Sequence, residues 1–278
     1  MRPYLLIAFF SASMAANAQY YYKDILGTKE SSELVKTYLK NKVNKVVISS
    51  FNAKNEKDEN FYVEQRFSPV TRSLTTITRA SSSNPSFLVS YFDEKSNVIK
   101  TVDSSEVLVS STTYQYNPEG QLLLVVSTSS DSAKSATMNE HHIWQWNGNV
   151  PIQMLRIKNH TDTIFVSFKT DEQGNVIEEQ ETHKKKKAFP NFYYYNSNRQ
   201  LTDIAQHNAR VDKLLPIYMF EYSAGGQVIQ KITVPSNHSD YLIWRYQYNE
   251  NGLKTKEAVY NKQKKLTGRI EYQYSFDS

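Results

Sequence analysis

Apolar and polar residues alternate along most of this chain, a pattern typical of half-buried β-strands. Around residues 242–248, one face carries Leu242, Trp244, Tyr246 and Tyr248, with polar residues interspersed. The same period of two recurs in residues 164–168 and in 270–276. A helix would scatter these aromatic residues around its circumference, whereas a strand collects them on one face. The pattern therefore predicts β-strands.

Each aromatic strand leads into a turn of the form Asn/Asp-x-x-Gly or a close variant. The clearest copies are Tyr114-Gln-Tyr116-Asn117-Pro-Glu-Gly120 and Tyr246-Gln-Tyr248-Asn249-Glu-Asn-Gly252. Asn and Asp side chains cap turns, and Gly takes the positive φ that such a turn requires. Because a second apolar run follows each turn, every copy predicts a β-hairpin. The residues that define the repeat are Tyr114, Tyr116, Asn117, Gly120, Tyr195, Asn196, Tyr222, Gly226, Tyr248, Asn249 and Gly252.

The spacing of the copies predicts an all-β fold. The residue before the turn recurs every 24 to 30 positions from Phe92 to Tyr274, which is room for two strands and two turns. Residues 85–278 are thus expected to form an antiparallel meander of about 14–16 strands. So long a sheet cannot stay flat, because its twist forces it to curl or split. A curved shell, an open barrel and a two-sheet sandwich all remain open, with the tyrosine faces inward in each.

The first third of the chain follows a different pattern. Apolar positions within Ser31–Lys40 predict one short amphipathic helix capped by serine. Val46–Phe51 and Phe61–Phe67 are predicted to be strands around a charged turn. The expected organisation is a signal peptide at 1–18, a helix with the first strands at 19–84, and hairpin repeats at 85–278. The last two parts are expected to form one continuous domain, 19–278.

The start of the chain has the features of a cleaved secretory signal. Arg2 is followed by the apolar run Tyr4–Phe10, and Ala16-Asn-Ala18 gives the small-x-small cleavage pattern before Gln19. The run is shorter than the roughly 20 apolar residues that span a bilayer. The chain has no cysteine, so we expect neither a disulfide framework nor a lipid anchor attached to cysteine. The sequence thus predicts export to the periplasm or the extracellular space.

Composition adds few constraints on function. Of the 278 residues, 39% are hydrophobic and 13% aromatic, which is enough for a sizeable core. The formal net charge of +5 is modest for this length and is consistent with simple solubility. No nucleic-acid partner is expected, and the protein is not expected to be an integral membrane protein.

The Tyr-x-Tyr-Asn/Asp-x-x-Gly-x-Leu/Val phrase resembles the YD repeat of Rhs and teneurin-type proteins, also found in many secreted bacterial proteins. The resemblance covers roughly the last two-thirds of the chain. It implies β-hairpins wound into a shell that encloses or binds rather than catalyses. This chain departs from the family pattern with Asn at 117, 196 and 249, and with Gln at 121 and 227.

One charge cluster is a candidate binding site. Lys184, Lys185, Lys186 and Lys187 follow one another, and such a patch binds phosphate or sulfated glycan. The alternative is a solvated hairpin tip, partly neutralised by Glu178, Glu179 and Glu181, which are interpreted as an exposed strand edge.

Other chemistry has little support in the sequence. His141 and His142 are adjacent in a predicted strand, so they point to opposite faces and cannot hold one metal ion. No GxSxG motif, metal-ligand spacing or phosphate-binding Gly-rich loop is present. We therefore expect no catalytic residues, no metal and no cofactor.

The sequence is compatible with three functions. The first is an exported non-catalytic β-repeat protein with a structural or binding role, whose partner is a cell-surface glycan or another exported protein. The second is a secreted hydrolase with carboxylates assembled across the shell. The third is an outer-membrane β-barrel.

Overall fold

The computed structural model of the chain describes residues 20–80, 84–106, 108–131, 137–234 and 240–277. The predicted signal segment, 1–18, lies outside these residues. The described part forms one helix, α1 (Lys23–Lys40), and nineteen strands. The strands are β1 (Val43–Asn52), β2 (Phe61–Ser68), β3 (Ser73–Ala80), β4 (Ser86–Phe92), β5 (Val98–Ser104), β6 (Leu108–Tyr116), β7 (Leu122–Asp131), β8 (Thr137–Asn147), β9 (Val150–Lys158), β10 (Asp162–Thr170), β11 (Val176–His183), β12 (Lys186–Lys187), β13 (Asn191–Tyr195), β14 (Leu201–Asn208), β15 (Lys213–Tyr222), β16 (Val228–Thr233), β17 (Leu242–Tyr248), β18 (Lys254–Asn261) and β19 (Leu266–Phe276).

The sheet closes into an antiparallel barrel. Each strand pairs with the next along the chain, and β19 returns to pair with β1 from Val43↔Phe276 to Asn52↔Gly268. The two-residue β12 pairs with the end of β11, while β11 also pairs directly with β13, so the barrel has eighteen strands. The predicted all-β meander is confirmed. Among the three closures left open, the chain adopts a barrel, and its closure removes the unpaired edges that an open sheet would expose.

The repeat turns share one hydrogen-bonding pattern. Asn117 Oδ1 accepts the backbone N–H of Gln121 at 2.8 Å, and Gly120 has a φ of +83°. Asn249 Oδ1 accepts from Leu253 at 2.9 Å in the same way, and Gly252 has a φ of +78°. A β-bulge follows each of these turns, because Tyr116 pairs with Leu122 while Gln115 pairs with Leu124. The repeat is therefore one turn-and-bulge unit used many times.

The repeat tyrosines face inward and link neighbouring hairpins. In each case the hydroxyl of the residue before the turn donates to a carbonyl near the start of the preceding hairpin's second strand. Burial raises the pKa of Tyr222 and of Tyr248 to about 12, so both remain donors at ordinary pH. The bonds are Tyr116 to Val98 (2.9 Å), Tyr195 to Val176 (2.9 Å), Tyr222 to Leu201 (2.7 Å), Tyr248 to Val228 (2.9 Å) and Tyr274 to Lys254 (2.7 Å). We call this series the tyrosine ladder.

Helix α1 crosses the interior of the barrel between two hydrophobic clusters. The first cluster receives Tyr21, Tyr22 and Ile25 and is built from wall residues of β7 to β14. The second cluster receives Val35 and Tyr38 and is built mainly from β1 to β5, β18 and β19. Because the two ends of the helix pack against opposite parts of the closed wall, the helix fills the lumen instead of covering the outside.

The helix is longer than the sequence predicted. It begins at Lys23 rather than at Ser31, and Ser32 is buried in its middle. The predicted serine cap is therefore wrong. Tyr22 occupies the N-cap position without a side-chain capping bond, and its backbone N–H donates to a carboxylate of the wall.

Alternate turns gather at the two ends of the barrel because the strands are antiparallel. We call the end that carries the repeat turns, such as 117–121 and 249–253, the repeat rim. The other end carries the turns 184–185, 209–212 and 262–265, and we call it the opposite rim. Helix α1 ends at the repeat rim, where the Asn41 side chain donates to the Asn251 carbonyl at 3.2 Å.

Candidate functional site at the contact between helix and barrel

The start of helix α1 is bound by a single buried carboxylate, Glu179 of β11. The backbone N–H groups of Tyr21 and Tyr22 each donate to one of its oxygens at 2.9 Å. Asn191 donates from its side-chain amide at 3.1 Å and Tyr193 from its hydroxyl at 2.7 Å. These two N–H groups belong to the N-cap residue and to the residue before it. The positive end of the helix dipole also favours a negative group at this place. Glu179 therefore anchors the segment that enters the helix, and it does so from a strand.

The environment of Glu179 combines two opposing effects. Its side chain is 1% exposed, and this burial raises the pKa of the carboxyl group. The four donors oppose the rise because they stabilise the charged form. Two donors meet each oxygen, so the acceptor capacity of the carboxylate is used by the helix and by the neighbouring strand β13.

A second anchor is a charged network at the first turn of the helix. His142 of β8 contacts Asp24 of the helix through Nδ1 at 2.6 Å and Glu140 through Nε2 at 2.9 Å. Burial alone would lower the pKa of His142, but the two carboxylates raise it to about 9. Burial likewise opposes ionisation of Glu140, but hydrogen bonds from His142 and Arg156 hold its pKa at about 2. At neutral pH His142 is thus an imidazolium that joins helix to wall.

This network continues along the inner wall. Arg156 Nη1 lies 3.5 Å from Asp162, and His183 Nε2 lies 2.8 Å from the other Asp162 oxygen. Its geometry alternates basic and acidic side chains from the helix through β8, β9, β10 and β11. The buried part of the network, from Asp24 to Arg156, holds the structure in one arrangement, since breaking one of its pairs leaves an uncompensated charge.

A third group of charges lies beside the middle of the helix. Glu30 and Lys29 keep exposed side chains although the wall surrounds them. Desolvation raises the pKa of Glu30 and lowers that of Lys29. Lys254 and Glu257 form an ion pair at 2.8 Å on the adjacent wall. This side of the lumen is therefore partly hydrated, which distinguishes it from the dry first cluster.

The outer wall has a shallow depression between β2 and β3. Its volume is about 540 Å³, and Tyr62, Arg66 and Arg79 are among its lining residues. Glu64 lies at its base, 2% exposed, and pairs with Lys45 at 2.8 Å and with Arg66. Burial opposes ionisation of Glu64, but these partners and the Tyr62 hydroxyl hold its pKa at about 2. The carboxylate is thus neutralised within the depression.

The candidate residues predicted from the sequence fall into two groups. The repeat residues form the tyrosine ladder and the repeat rim, so their role is architectural. Lys184, Lys185, Lys186 and Lys187 lie at the opposite rim with exposed side chains. Lys184 and Lys185 form the turn with φ values of 47° and 66°. None of the hydrogen bonds and ion pairs described for this part of the chain brings these lysines to the helix anchors.

The interpretation of Glu178, Glu179 and Glu181 as an exposed edge is wrong for Glu179, which is the most engaged carboxylate in the interior. A β-bulge separates Lys169 from Thr170 in the β10–β11 pairing, so alternation cannot be counted through this point. Glu178 pairs with Lys169 at 2.8 Å. Burial raises the pKa of Glu181, and the nearby Arg156 and His183 oppose this rise. None of the ion pairs described for β11 joins these acids to Lys184–Lys187.

The histidine pair lies as the strand pattern requires. His142 faces the helix, whereas the His141 ring lies 6.0 Å from that of His160. Across the described residues, no group of three or more His, Asp or Glu side chains is arranged to hold a metal ion. Within the same ranges, no helix is long and apolar enough to cross a membrane.

Comparisons with known proteins do not assign this chain to a family. No family model and no curated protein matches the chain. Solved structures that share parts of the fold include a porin-like protein from Bacteroides uniformis, at 10% identity, with 84% of this chain and 97% of that chain covered and a TM-score of 0.42. They also include the TcdB2-TccC3-Cdc42 structure, at 12% identity and a TM-score of 0.36, with 78% of this chain covered. A Photorhabdus luminescens Tc holotoxin pore gives 12% identity and a TM-score of 0.34 over 78% of this chain. The match covers only 12% of each of these two toxin chains.

Proposed function

We propose that this protein is an exported, non-catalytic β-barrel with a structural or binding role, whose interior is committed to holding its own helix. The proposal rests on Glu179. Its two carboxylate oxygens accept four hydrogen bonds, two of them from backbone N–H groups at the start of the helix. A barrel built in this way presents its outer wall and its two rims to partners. A cell-surface glycan or another exported protein is the class of partner that such surfaces fit.

The hydrolase alternative has one feature in its favour. Glu140 and Glu179 have pKa values shifted in opposite directions, which is how acid and base roles are separated in enzymes. The contacts of these groups argue against it, because Glu140 is bonded to His142 and Arg156 and Glu179 to the helix. A substrate would have to displace the helix to reach either carboxylate.

A direct assay distinguishes the two functions. The purified chain from Gln19 onward is incubated with chromogenic glycosides and esters, and separately screened for binding to glycans and to exported proteins. We expect no turnover and saturable binding to one partner class. Turnover that disappears in Glu140→Gln, while the thermal midpoint stays within a few degrees, would establish the hydrolase instead.

Export is supported by the position of the buried residues Tyr21 and Tyr22. Cleavage before Gln19 would leave Tyr21, which is 2% exposed, only two residues from the new N-terminus. The helix anchor therefore begins directly after the predicted cleavage pattern. N-terminal sequencing of the protein from the exported fraction is expected to begin at Gln19, and an intact Met1 there would contradict the proposal.

The outer-membrane barrel is a second candidate for two reasons. The sheet is closed, and in several hairpins the second strand carries an exposed aliphatic residue at the bulge that follows the repeat turn. Lipid-facing charges are costly in such barrels, and the outer wall bears the Lys45–Glu64 pair and the Lys169–Glu178 pair. We therefore favour a protein outside the bilayer. Extraction of membranes with alkaline carbonate is expected to release it, and retention in the pellet would favour the barrel in the membrane. The aliphatic residues are Ile99 (40% exposed), Leu123 (38%), Ile152 (42%), Ile177 (38%) and Ile229 (38%).

The hairpins themselves are proposed to be degenerate YD repeats. The shared turn, the bulge and the tyrosine ladder support this proposal, since the five copies with tyrosine at the ladder position use its hydroxyl for the same contact. The proposal implies that the hairpins form an enclosing shell. In this chain, the shell encloses helix α1.

A further inference from the structure

Two neighbouring hairpin tips at the opposite rim combine positive charge with exposed apolar side chains. The first tip, residues 184–190, connects β11 to β13, and the second, residues 209–212, connects β14 to β15. They are adjacent because β13 pairs with β14 from Asn191↔Gln206 onward. The Phe189 ring of the first tip stacks on His207, which precedes the second, with ring centroids 3.8 Å apart. We call residues 184–190 and 209–214 the basic tips.

The charge of the basic tips is strongly one-sided. Lys184 to Lys187, Arg210 and Lys213 are all exposed. Asp212 is the one carboxylate within these residues, and it bonds to His207 at 2.8 Å. Glu181 is the acid of β11 closest in sequence, and the cations that act on it are Arg156 and His183. Glu178 and Glu179 are engaged by Lys169 and by the helix. None of the ion pairs described for β11 joins one of its acids to a cation of the tips.

Apolar side chains project from the same two tips. Phe189 is 65% exposed, Val211 is 54% exposed and Leu214 is 42% exposed. The stack on His207 holds Phe189 in place, so its exposure is a fixed feature of the tip. Exposed apolar residues within a basic patch are typical of surfaces that insert shallowly into the headgroup region of an anionic bilayer.

We propose that the basic tips dock this protein peripherally on a membrane surface that contains anionic phospholipid. The cations match the negative headgroups, and Phe189, Val211 and Leu214 reach the apolar boundary beneath them. A sulfated polysaccharide would satisfy the cations but offers no apolar layer for these three side chains. This inference goes beyond the proposed function, which names a glycan or an exported protein as the class of partner.

Sedimentation with lipid vesicles tests the proposal. The chain from Gln19 onward is mixed with vesicles of phosphatidylcholine alone and with vesicles containing one quarter phosphatidylglycerol. We expect binding to the anionic vesicles only, with loss of most binding at high salt. No binding to anionic vesicles, or equal binding to both kinds, overturns the proposal. Preferential capture by dextran sulfate with no vesicle binding assigns the patch to a polyanion instead and also overturns it.

Two matched variants localise the effect. Each cation near an anionic bilayer surface contributes about a fivefold gain in partitioning, so K184S with K185S should weaken binding more than tenfold. The control is K264S with K265S, because these exposed lysines form another hairpin turn at the same rim on a different part of the barrel. If both double variants lost the same amount of vesicle binding, the effect would come from net charge alone, and this would contradict a defined docking surface.

The apolar contribution is measured with Phe189→Ser, which leaves the charge unchanged. We expect a three- to tenfold weaker partition to anionic vesicles and an unchanged thermal midpoint, because the ring lies outside both hydrophobic clusters. Unchanged partition would overturn the inserted geometry. Val70→Ser is the matched control, since Val70 is 92% exposed at the repeat rim, and its partition should equal that of the native chain.

Discussion

At the scale of single residues, the pKa of His142 gives the interior a pH dependence. Its folded-state pKa of about 9 lies above the ordinary value of 6.5, so the folded protein binds the proton more tightly than the unfolded chain. The resulting stabilisation is present in full below pH 6.5 and is lost as pH rises through 9. The partners that raise the pKa, Asp24 and Glu140, belong to the helix and to the wall, so the proton stabilises their contact.

We expect the native chain to lose up to about 3 kcal/mol of unfolding free energy between pH 6 and pH 10 relative to His142→Gln. Glutamine keeps a polar side chain but cannot titrate, so the difference between the two proteins isolates this group. Urea unfolding at several pH values provides the measurement. Parallel pH profiles for both proteins would show that His142 is not the source.

The turn glycines give a second test at this scale. Gly120 has a φ of +83° and nothing within 4 Å of where a Cβ would lie. Gly120→Ala should therefore destabilise the protein by about 1 kcal/mol through the backbone alone. Lys264 takes the same turn position with a φ of 60°, so Lys264→Gly should stabilise by up to about 1 kcal/mol. Thermal or urea unfolding measures the stability of both variants. A stability change of the same sign in the two variants would contradict a backbone origin of these effects.

At the scale of elements, the helix depends on a strand for its start. Glu179 lies 158 residues from Tyr21, and it accepts the backbone N–H groups of Tyr21 and of the N-cap residue Tyr22. In exchange, the helix shields the carboxylate from water. The helix and the strand thus stabilise each other, which explains why the barrel wall can hold a buried carboxylate.

Glu179→Gln is expected to destabilise the protein by roughly 2–4 kcal/mol, because an amide can accept at one end only and places an NH₂ group against an N–H donor. The matched control is Glu178→Gln on the neighbouring position, which breaks the Lys169–Glu178 surface pair and should change stability by at most about 0.5 kcal/mol. Hydrogen exchange should accelerate over residues 23–40 in the first variant. Similar effects of both substitutions would contradict the anchoring role.

At the scale of the whole molecule, closure and the internal helix connect the two clusters. The sheet has no free edge between the described strands, and Tyr114 packs against both clusters. A chain of this length often divides into two domains. Here the helix crosses from one cluster to the other, so neither is expected to lose its packing independently.

Unfolding should therefore be a single transition. Trp144 lies in the first cluster and Trp244 packs against the second, so two variants that each keep one of them report on the two regions. W146F with W244F leaves Trp144, and W144F with W146F leaves Trp244. Fluorescence and circular dichroism should give coincident urea midpoints within each variant. A fluorescence midpoint that departs from the circular dichroism midpoint would show that the halves unfold separately.

The sequence by itself determined the local structure. Alternation predicted the strands, and Asn117 with Gly120 predicted a turn that the structure repeats around the rim. The inward orientation of the repeat tyrosines followed from the same periodicity. These features depend on residues within a few positions of one another, so they can be inferred from the chain alone.

Only the tertiary structure decided the closure and the interior. Pairing of β1 with β19 and binding of Tyr21 by Glu179 join residues far apart in sequence, and no local pattern specifies such partners. The serine signal at Ser31 was locally plausible, but the helix extends to Lys23, and a distant carboxylate anchors its start. Likewise, the β-bulge in the β10–β11 hairpin disrupts the alternation by which the face of Glu179 would have been assigned.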